Sequence, residues 1–439
     1  MQCYYSVPTI NDRAWQCLVK YALEPAHEAT FDANSYGFRT GRSAHDAQKQ
    51  IFNLLNANRN GGRKVVIELD IEKCFDRISH TTIMDNLIAP KAIKIGIFRC
   101  LKAGTNPGYP EQGTPQGGVV SPLLANVALN GIERIYRHHT VHFPSNSYPK
   151  GRRITPKTPE KDITYPSIRY ADDMVIIIPE DENPLRVLQN IDEFLATRGM
   201  KVSAKKTKVT KPTDGFDFLG WHFKYVKTKK IEKLTCVPSE ENYESFRKKV
   251  KAIVNSSNYG AEVKAEKLAP IIRGWRNYHK HCRMSGSRFS LWFMNHDAYR
   301  KFLKQPSIDR YKAESLVKKA FPAVDHSLFG HVKVMGTKSP YDGDITYWTE
   351  RESKLYDGAT SQAIKRQKHK CVVCDMEFMP GERVHLHHVD GNHENWKTNN
   401  LVAIHESCHD YVHMGNIDLA EILKRKSNPR KDKRQGKVS

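Results

Sequence analysis

Tyr170-Ala171-Asp172-Asp173 constrains this chain more than any other stretch. It lies between Ile168-Arg169-Tyr170 and the apolar run Met174-Val175-Ile176-Ile177-Ile178. That pattern predicts two strands joined by a tight acidic turn. Adjacent carboxylates on such a turn repel one another and have no apolar face to bury. The pair is tolerated where it holds a divalent cation, and hard cations such as Mg2+ take carboxylate oxygens. A third carboxylate, Asp70, ends the segment Lys64-Val65-Val66-Ile67-Glu68-Leu69-Asp70. On a strand beside Asp172 and Asp173, it would complete a two-metal clamp for in-line phosphoryl transfer. An ordinary exposed turn, where Asp is common, accommodates the same dipeptide.

Charge narrows the partners. Seventy Lys and Arg against 48 Asp and Glu give a net charge of +22, which points to a polyanion. A length of 439 residues allows about two to four domains. No run of apolar residues is long enough to span a bilayer, and Met1-Gln2-Cys3-Tyr4-Tyr5 does not read as a signal peptide. Nine cysteines in so long a chain are not a disulfide framework, and three of them show metal-like spacing near the C-terminus. The compartment is expected to be reducing. No internal repeat is visible.

Further segments give the acidic turn a context. Val7-Pro8-Thr9-Ile10-Asn11-Asp12-Arg13 comes first, then Ser35-Tyr36-Gly37-Phe38-Arg39 with Gly41-Arg42-Ser43-Ala44-His45-Asp46-Ala47. Asp70-Ile71-Glu72-Lys73-Cys74-Phe75-Asp76 follows, then Gly113-Thr114-Pro115-Gln116-Gly117-Gly118 through Ser121-Pro122-Leu123-Leu124-Ala125-Asn126. After the acidic turn come Lys206-Thr207 and Phe218-Leu219-Gly220-Trp221. In this order the set resembles the reverse transcriptases encoded by group II introns.

The resemblance implies roles residue by residue. Asp70, Asp172 and Asp173 would hold two Mg2+ ions bridging the primer hydroxyl and the incoming dNTP. Phe75 would exclude a 2′-hydroxyl, Gln116 would contact the nucleotide, and Lys206 would lie near the departing pyrophosphate. Arg13 and Arg39 would reach phosphates through bidentate guanidinium contacts. Phe75 also reads as a core aromatic, and the basic residues as solvated or structural side chains. Relatives carry an extension with basic residues ahead of the fingers block where this chain has Cys3-Tyr4-Tyr5-Ser6, so a trimmed or split gene, or a misassigned start, is expected, and polymerisation by this chain is left open.

Beyond Trp221 the composition turns basic and helical, with Lys227-Thr228-Lys229-Lys230 marking a boundary. Leu268-Ala269-Pro270-Ile271-Ile272-Arg273-Gly274-Trp275-Arg276-Asn277-Tyr278-His279 resembles the family's thumb, or maturase, domain. Its Arg273 and Arg276 would face intron RNA beside Trp275. An ordinary amphipathic core helix explains the apolar positions equally. By position, residues 301–355 correspond to the family's DNA-binding segment.

The C-terminal part carries a second chemistry. Cys371-Val372-Val373-Cys374 and His405-Glu406-Ser407-Cys408 form a Cys3His set at the spacing of tetrahedral structural Zn2+. Between and after the knuckles stand His385-Leu386-His387-His388-Val389-Asp390, Asn399-Asn400-Leu401 and His409. This module resembles an HNH endonuclease with a ββα-metal fold. The resemblance makes His388 the general base, His387 and His409 ligands of a catalytic divalent ion (Mg2+ or another), and Asn400 the residue that orients the base. It implies no role for His385 or His413, which read as surface or supporting histidines. His405 stands where many relatives carry Cys, so zinc binding is expected to be more pH-sensitive. Lys424-Arg425-Lys426 and Arg430-Lys431-Asp432-Lys433-Arg434 read as a disordered basic tail that adds phosphate contacts.

The expected fold is α+β and multidomain, with a right-hand polymerase palm and fingers in 1–225 and a helical thumb (maturase) domain in 226–300. A DNA-binding or linker segment at 301–355, an HNH zinc domain at 356–420 and a tail at 421–439 follow. The expected function is RNA-directed DNA polymerisation, intron-splicing maturation and DNA nicking in intron mobility, with intron RNA, target DNA and dNTPs as partners. A splicing maturase with a vestigial palm is the rival reading. The expected location is bacterial cytoplasm or an organelle such as a plastid, and the chain is compatible with a homodimer.

Overall fold

The computed structural model describes residues 8–103, 110–115, 117–134, 136–137, 163–227, 232–328, 330–353, 356, 358–379, 382–415 and 418–427. The chain divides into two compact units, 1–337 and 338–439. Gln116, Cys3 to Ser6 and Arg430 to Arg434 lie outside the described residues.

A four-stranded antiparallel sheet organises the first unit. Its order is Ser167–Tyr170, Asp173–Pro179, Lys64–Leu69 and Lys208–Thr210. The two central strands read as continuous apolar runs because both of their faces are covered. Val65, Ile67, Leu69, Met174, Ile176 and Ile178 enter one core. The helix Ser121–Leu129 and, through Val187, Ile191 and Leu195, the helix Pro184–Ala196 fill that core from the other side. Val66, Val175 and Ile177 point the opposite way, into a core with Tyr36, Ile51, Trp221 and Phe223. Side-chain alternation along a strand makes that division automatic. Two helices on these layers start with capping boxes: Ile10–Glu28 through Thr9 and Asp12, and Ala44–Leu54 through Ser43 and Asp46. Each box satisfies amide groups that the first helical turn leaves unpaired.

Lys227, expected at a boundary, is the last residue of a strand. Trp221–Lys227 and Glu232–Pro238 pair as an antiparallel hairpin, joined at its other edge by Phe216–Phe218. Alternate residues Trp221, Phe223, Tyr225, Leu234 and Cys236 are buried; Thr228 to Lys230 lie outside the described residues. The helical region begins afterwards, at Glu240–Asn255 with Ser239 as cap. Nor does it end at 300. Ala313, Val317 and Ala320 of the helix Arg310–Ala320, together with Phe321, share one core with Phe246, Leu268, Ile272, Met294 and Phe302. A helix contributing that much apolar surface to a common core belongs to the same module.

The second unit starts at residue 338, ahead of the expected 356, and includes the helix Ile345–Ser353 with its buried Trp348. A hairpin, Val384–His388 with Leu401–His405, leads directly into the helix Glu406–Met414. Ile364, Phe378, Val402, Ile404 and Val412 form its small core. The expected tail from 421 is helical at its start, since Leu419–Ser427 is a helix whose Leu419 joins that core.

Candidate functional site

Register places the acidic turn. Tyr170 pairs with Asp173 and Leu69 with Met174, so one residue past Leu69 sets Asp70 beside Asp173. Ala171 turns the chain with a left-handed φ of 60°, uncommon for a residue carrying a Cβ. A buried network holds it there. Arg169 donates from Nε to Glu133 Oε1 at 2.5 Å, and from Nη1 to Asn126 Oδ1 at 2.9 Å and the Ala171 carbonyl at 3.1 Å. Asn126 donates onward to the Gly37 carbonyl at 2.9 Å. A Cβ on Gly37 would stand 2.2 Å from the Ala171 nitrogen, so only glycine fits between that loop and the turn.

Asp70, Asp173 and Lys206 line a cleft of about 360 Å³. The Lys206 ammonium sits 3.2 Å from Asp70 Oδ1. Although the Asp173 residue reaches solvent, the protein mass around it pushes its pKa up to about 6, and the Asp172 and Asp70 carboxylates add to the rise. The three carboxylates share one end of the sheet without converging on a point. Among the described residues, the tight groups of three or more potential ligand residues are both in the second unit. Spread oxygen donors suit a pair of hard cations better than a single one.

Around this cleft the other expected residues divide. Phe75 is half-buried with its ring edge-on to exposed Phe38 at 6.3 Å, and its carbonyl accepts from the Thr114 amide at 2.8 Å. That bond ties the two motifs together. Arg13 is exposed near the start of its helix. Arg39 is not available to a phosphate. It is buried, bidentate to Glu28, and donates to the carbonyls of Asp32 and Ser35.

The helical region brings a second correction. Trp275 is core: it stacks on Phe246 with centroids 4.5 Å apart and donates to Asn242 Oδ1 at 2.9 Å. Arg276 is held by the carbonyls of Pro322 at 2.7 Å, Ser290 at 3.3 Å and Phe321 at 3.4 Å. Both therefore serve the fold, and Arg273 alone of that set stays exposed.

In the second unit two ligand groups lie close together. The ligand atoms of Cys371, Cys374, His405 and Cys408 all lie within 4.8 Å of one another. A tetrahedral Zn2+ with bonds of about 2.3 Å to sulfur and about 2.0 Å to nitrogen fits that donor set. His405 turns Nδ1 toward the thiols, 3.4 Å from Cys374 Sγ, while Nε2 lies 3.2 Å from Glu382 Oε2. A carboxylate behind a ligating imidazole fixes its tautomer. Burial, then the neighbouring Cys374 and Cys371, push the Cys408 thiol up to about 12, a cost that bound zinc offsets by stabilising thiolate.

The second group is His387, His409 and His413, within the same 4.8 Å limit. The resemblance left His413 without a role; the helix Glu406–Met414 puts it one turn beyond His409, with Nε2 atoms 3.2 Å apart. That i, i+4 pair was the available signal. Burial and then the neighbouring imidazoles push His387 down to about 4, keeping it neutral as a metal ligand must be. His388 points elsewhere. It is 7% exposed, its Nε2 has no hydrogen-bond partner among the described residues, and it packs against His393 and Trp396. Asn400 supports the strand end beside it: its carbonyl accepts from the Val389 amide at 2.8 Å, and its side-chain amide bonds Asp390 and Asn395.

Comparison with known proteins follows this division. Residues 3–223 match the reverse transcriptase (RNA-dependent DNA polymerase) family, and residues 243–312 match the group II intron, maturase-specific domain. "Maturase-like protein 1" of Euglena gracilis is 35% identical over 317 residues, 72% of this chain and 62% of that protein. "Group II intron-encoded protein LtrA" of Lactococcus lactis subsp. cremoris is 26% identical over 323 residues, 61% of this chain and 53% of that protein. The chain thus spans less than two thirds of either. The solved apo telomerase from Candida Tropicalis covers 70% of this chain and 54% of its own at TM-score 0.35 and 11% identity, a likeness too weak to carry argument. Both family matches end before the Cys/His module begins.

Proposed function

This chain belongs to the reverse transcriptase (RNA-dependent DNA polymerase) family and carries a group II intron maturase-specific domain, and from that membership we propose that it is an intron-encoded protein joining RNA-directed DNA polymerase, splicing maturase and HNH DNA endonuclease. The observation that carries the polymerase reading is the register that sets Asp70 beside Asp173 in a cleft closed by Lys206. Asp70, Asp172 and Asp173 would hold two Mg2+, and the side chain of Lys206 is placed to donate to a leaving pyrophosphate. Phe75, reached from the same strand end, would pack under the sugar of the dNTP. Intron RNA would lie along the helical region with exposed Arg273 among its contacts, and exposed Arg13 would meet phosphate in the fingers.

The nuclease reading rests on the hairpin and helix of the second unit. Cys371, Cys374, His405 and Cys408 would hold structural Zn2+; His387, His409 and His413 would hold a catalytic divalent ion. His388, next to His387 in sequence and buried, with a ring nitrogen that has no hydrogen-bond partner among the described residues, would take the proton from the attacking water. The chemistry that the ions supply at both catalytic sites when bound is neutralisation of phosphate charge. Target DNA is the proposed nuclease substrate, and bacterial cytoplasm or an organelle the proposed location. Among the described residues no helix is long and apolar enough to cross a membrane.

One observation favours the rival, a maturase that does not polymerise: Lys206 pairs with Asp70 where a cation would be needed. Primer extension on an RNA template with Mg2+ separates the two. The polymerase reading expects extension that falls to background in Asp172→Asn; intron binding without any extension selects the rival. For the nuclease, His388→Ala is expected to abolish DNA nicking with zinc content unchanged. Nicking that persists removes His388 from the role of base.

A further inference from the structure

Charge is concentrated in the helical region, where residues 240–320 hold eighteen Lys and Arg against eight Asp and Glu. Most of the acids are already engaged: Glu240, Glu244, Glu262, Glu266 and Glu314 each form an ion pair within the region. Lys248, Lys249 and Lys251 of the helix Glu240–Asn255 have no ion-pair partner among the described residues. Lys248 and Lys251, three residues apart, share a helix face.

On such a surface, bare aromatic rings are out of place unless something covers them. Trp292 is 56% exposed and its neighbour Phe293 64%. They open the helix Trp292–Leu303. The Trp292 ring lies parallel to His296, with centroids 5.4 Å apart and planes 1° apart, and meets Phe293 edge-on at 5.0 Å. The indole is thus held in one orientation while more than half of its surface stays in water. Phe293 also walls a cleft of about 390 Å³ with Val250 and Met294 beneath and Arg247, Lys251 and Asp297 around it. Arg247 is already held by Glu244 at 2.9 Å, which leaves Lys251 as the cation of this cleft without an ion-pair partner among the described residues.

We propose that this face binds an unpaired nucleobase of single-stranded RNA, the base lying against Trp292 and Phe293 and the adjoining phosphates against Lys248 and Lys251. Each part has its reason. A ring offered beside a cation accepts a base by stacking regardless of sequence. The lysines complement a polyanion, which an apolar protein partner would not require. Asp297 would repel a phosphate from the cleft itself but can accept from a base's exocyclic amino group, so base and backbone are sorted to different sides. The site rests on the proposed RNA-binding function and gives it a location on helices other than the one that carries Arg273.

The test titrates the whole chain with single-stranded RNA, and with DNA of the same sequence, following affinity and tryptophan emission. Base stacking on Trp292 is expected to quench emission, and Trp292→Phe to lose that quenching while keeping affinity. The pair Trp292→Ala, Phe293→Ala is expected to weaken RNA binding roughly tenfold with its salt dependence unchanged. Lys248→Ala with Lys251→Ala is expected to flatten the salt slope by about 1.4 for two charges on a single strand. All four side chains are on the surface, and circular dichroism checks that each variant is folded. Equal quenching by DNA supports the site and reads it as blind to the 2′-hydroxyl. RNA binding that neither the aromatic variants nor the emission registers overturns the site and leaves the RNA-binding function standing. A chain that binds no RNA at all overturns both.

Discussion

The acidic turn of the first unit and the Cys/His module of the second both carry side chains able to ligate a cation, but they are held still by different means. Around the turn, strand register, the buried Arg169–Glu133 pair and the bond from Asn126 to Gly37 set the geometry. The carboxylates are passengers on a framework packed on both faces. In the module the ligands belong to the core itself: Cys371 is fully buried and packs with Phe378 and Ile404. A core that small gains much of its stability when a metal staples it. A cation should therefore matter for catalysis at the first site and for folding at the second.

The largest expected effect sharpens that contrast. Cys371→Ser should release zinc and unfold residues 338–427, since structural zinc contributes about 10–16 kcal/mol of apparent folding free energy in small zinc modules. Elemental analysis with limited proteolysis would show it, and primer extension should be unaffected. A module that stays protease-resistant without zinc would erase the distinction. Next, Arg169→Met leaves Glu133 buried without its partner, which costs about 3–5 kcal/mol. Urea unfolding of the first unit and primer extension should both register the change, and adding Glu133→Gln should recover part of the stability. If Arg169→Met unfolds at the same urea concentration as the unmodified chain, the framework account fails.

Acid provides a smaller and metal-independent probe. Burial pushes His27 and His281 from 6.5 down to about 4. Folded, they stay neutral where the unfolded chain would bind protons. The stability they contribute is complete above pH 6.5 and declines as pH falls toward 4, by about 1.4 kcal/mol per pH unit for each ring. The first unit should show this loss in chelator, whereas the second should show acid sensitivity chiefly when loaded with zinc. Smallest of all, Arg273→Ala should flatten the salt dependence of RNA binding by about one unit or less without altering thermal stability. A stability loss there would mean that its exposed position conceals a packing role.

Features encoded within a few residues were legible in the sequence. Tyr170 to Asp173 is a hairpin turn, and the Cys-x-x-Cys and His-x-x-Cys spacings meet in one cluster. What the sequence hid depended on partners distant in the chain. Nothing near Arg39 announces Glu28 as its acceptor, and nothing near Trp275 announces Phe246. A cationic or aromatic residue on an amphipathic helix looks the same before and after it finds a buried partner. Other misses were readable. The alternation in Trp221–Lys227 and Glu232–Pro238 marks strands on both sides of Lys227 to Lys230, and Ala313, Val317 and Ala320 repeat at helical spacing beyond the boundary at 300. In each case local charge or weak composition outweighed a pattern that was present.

The position of Lys64–Leu69 in the middle of its sheet has a consequence for biosynthesis. Both of its neighbours, Asp173–Pro179 and Lys208–Thr210, are made much later. Until the ribosome has delivered them, Val65-Val66-Ile67 waits with two unpaired edges and with faces covered only by the earlier residues of their cores, such as Leu23 and Ile51, the condition in which strands of nascent chains associate with one another. Contacts so far apart in sequence also close slowly. Translation that stalls between these segments should therefore yield insoluble fragments rather than partially active ones, and recovery of soluble protein should depend on how well the first half of the chain is escorted until the second half arrives.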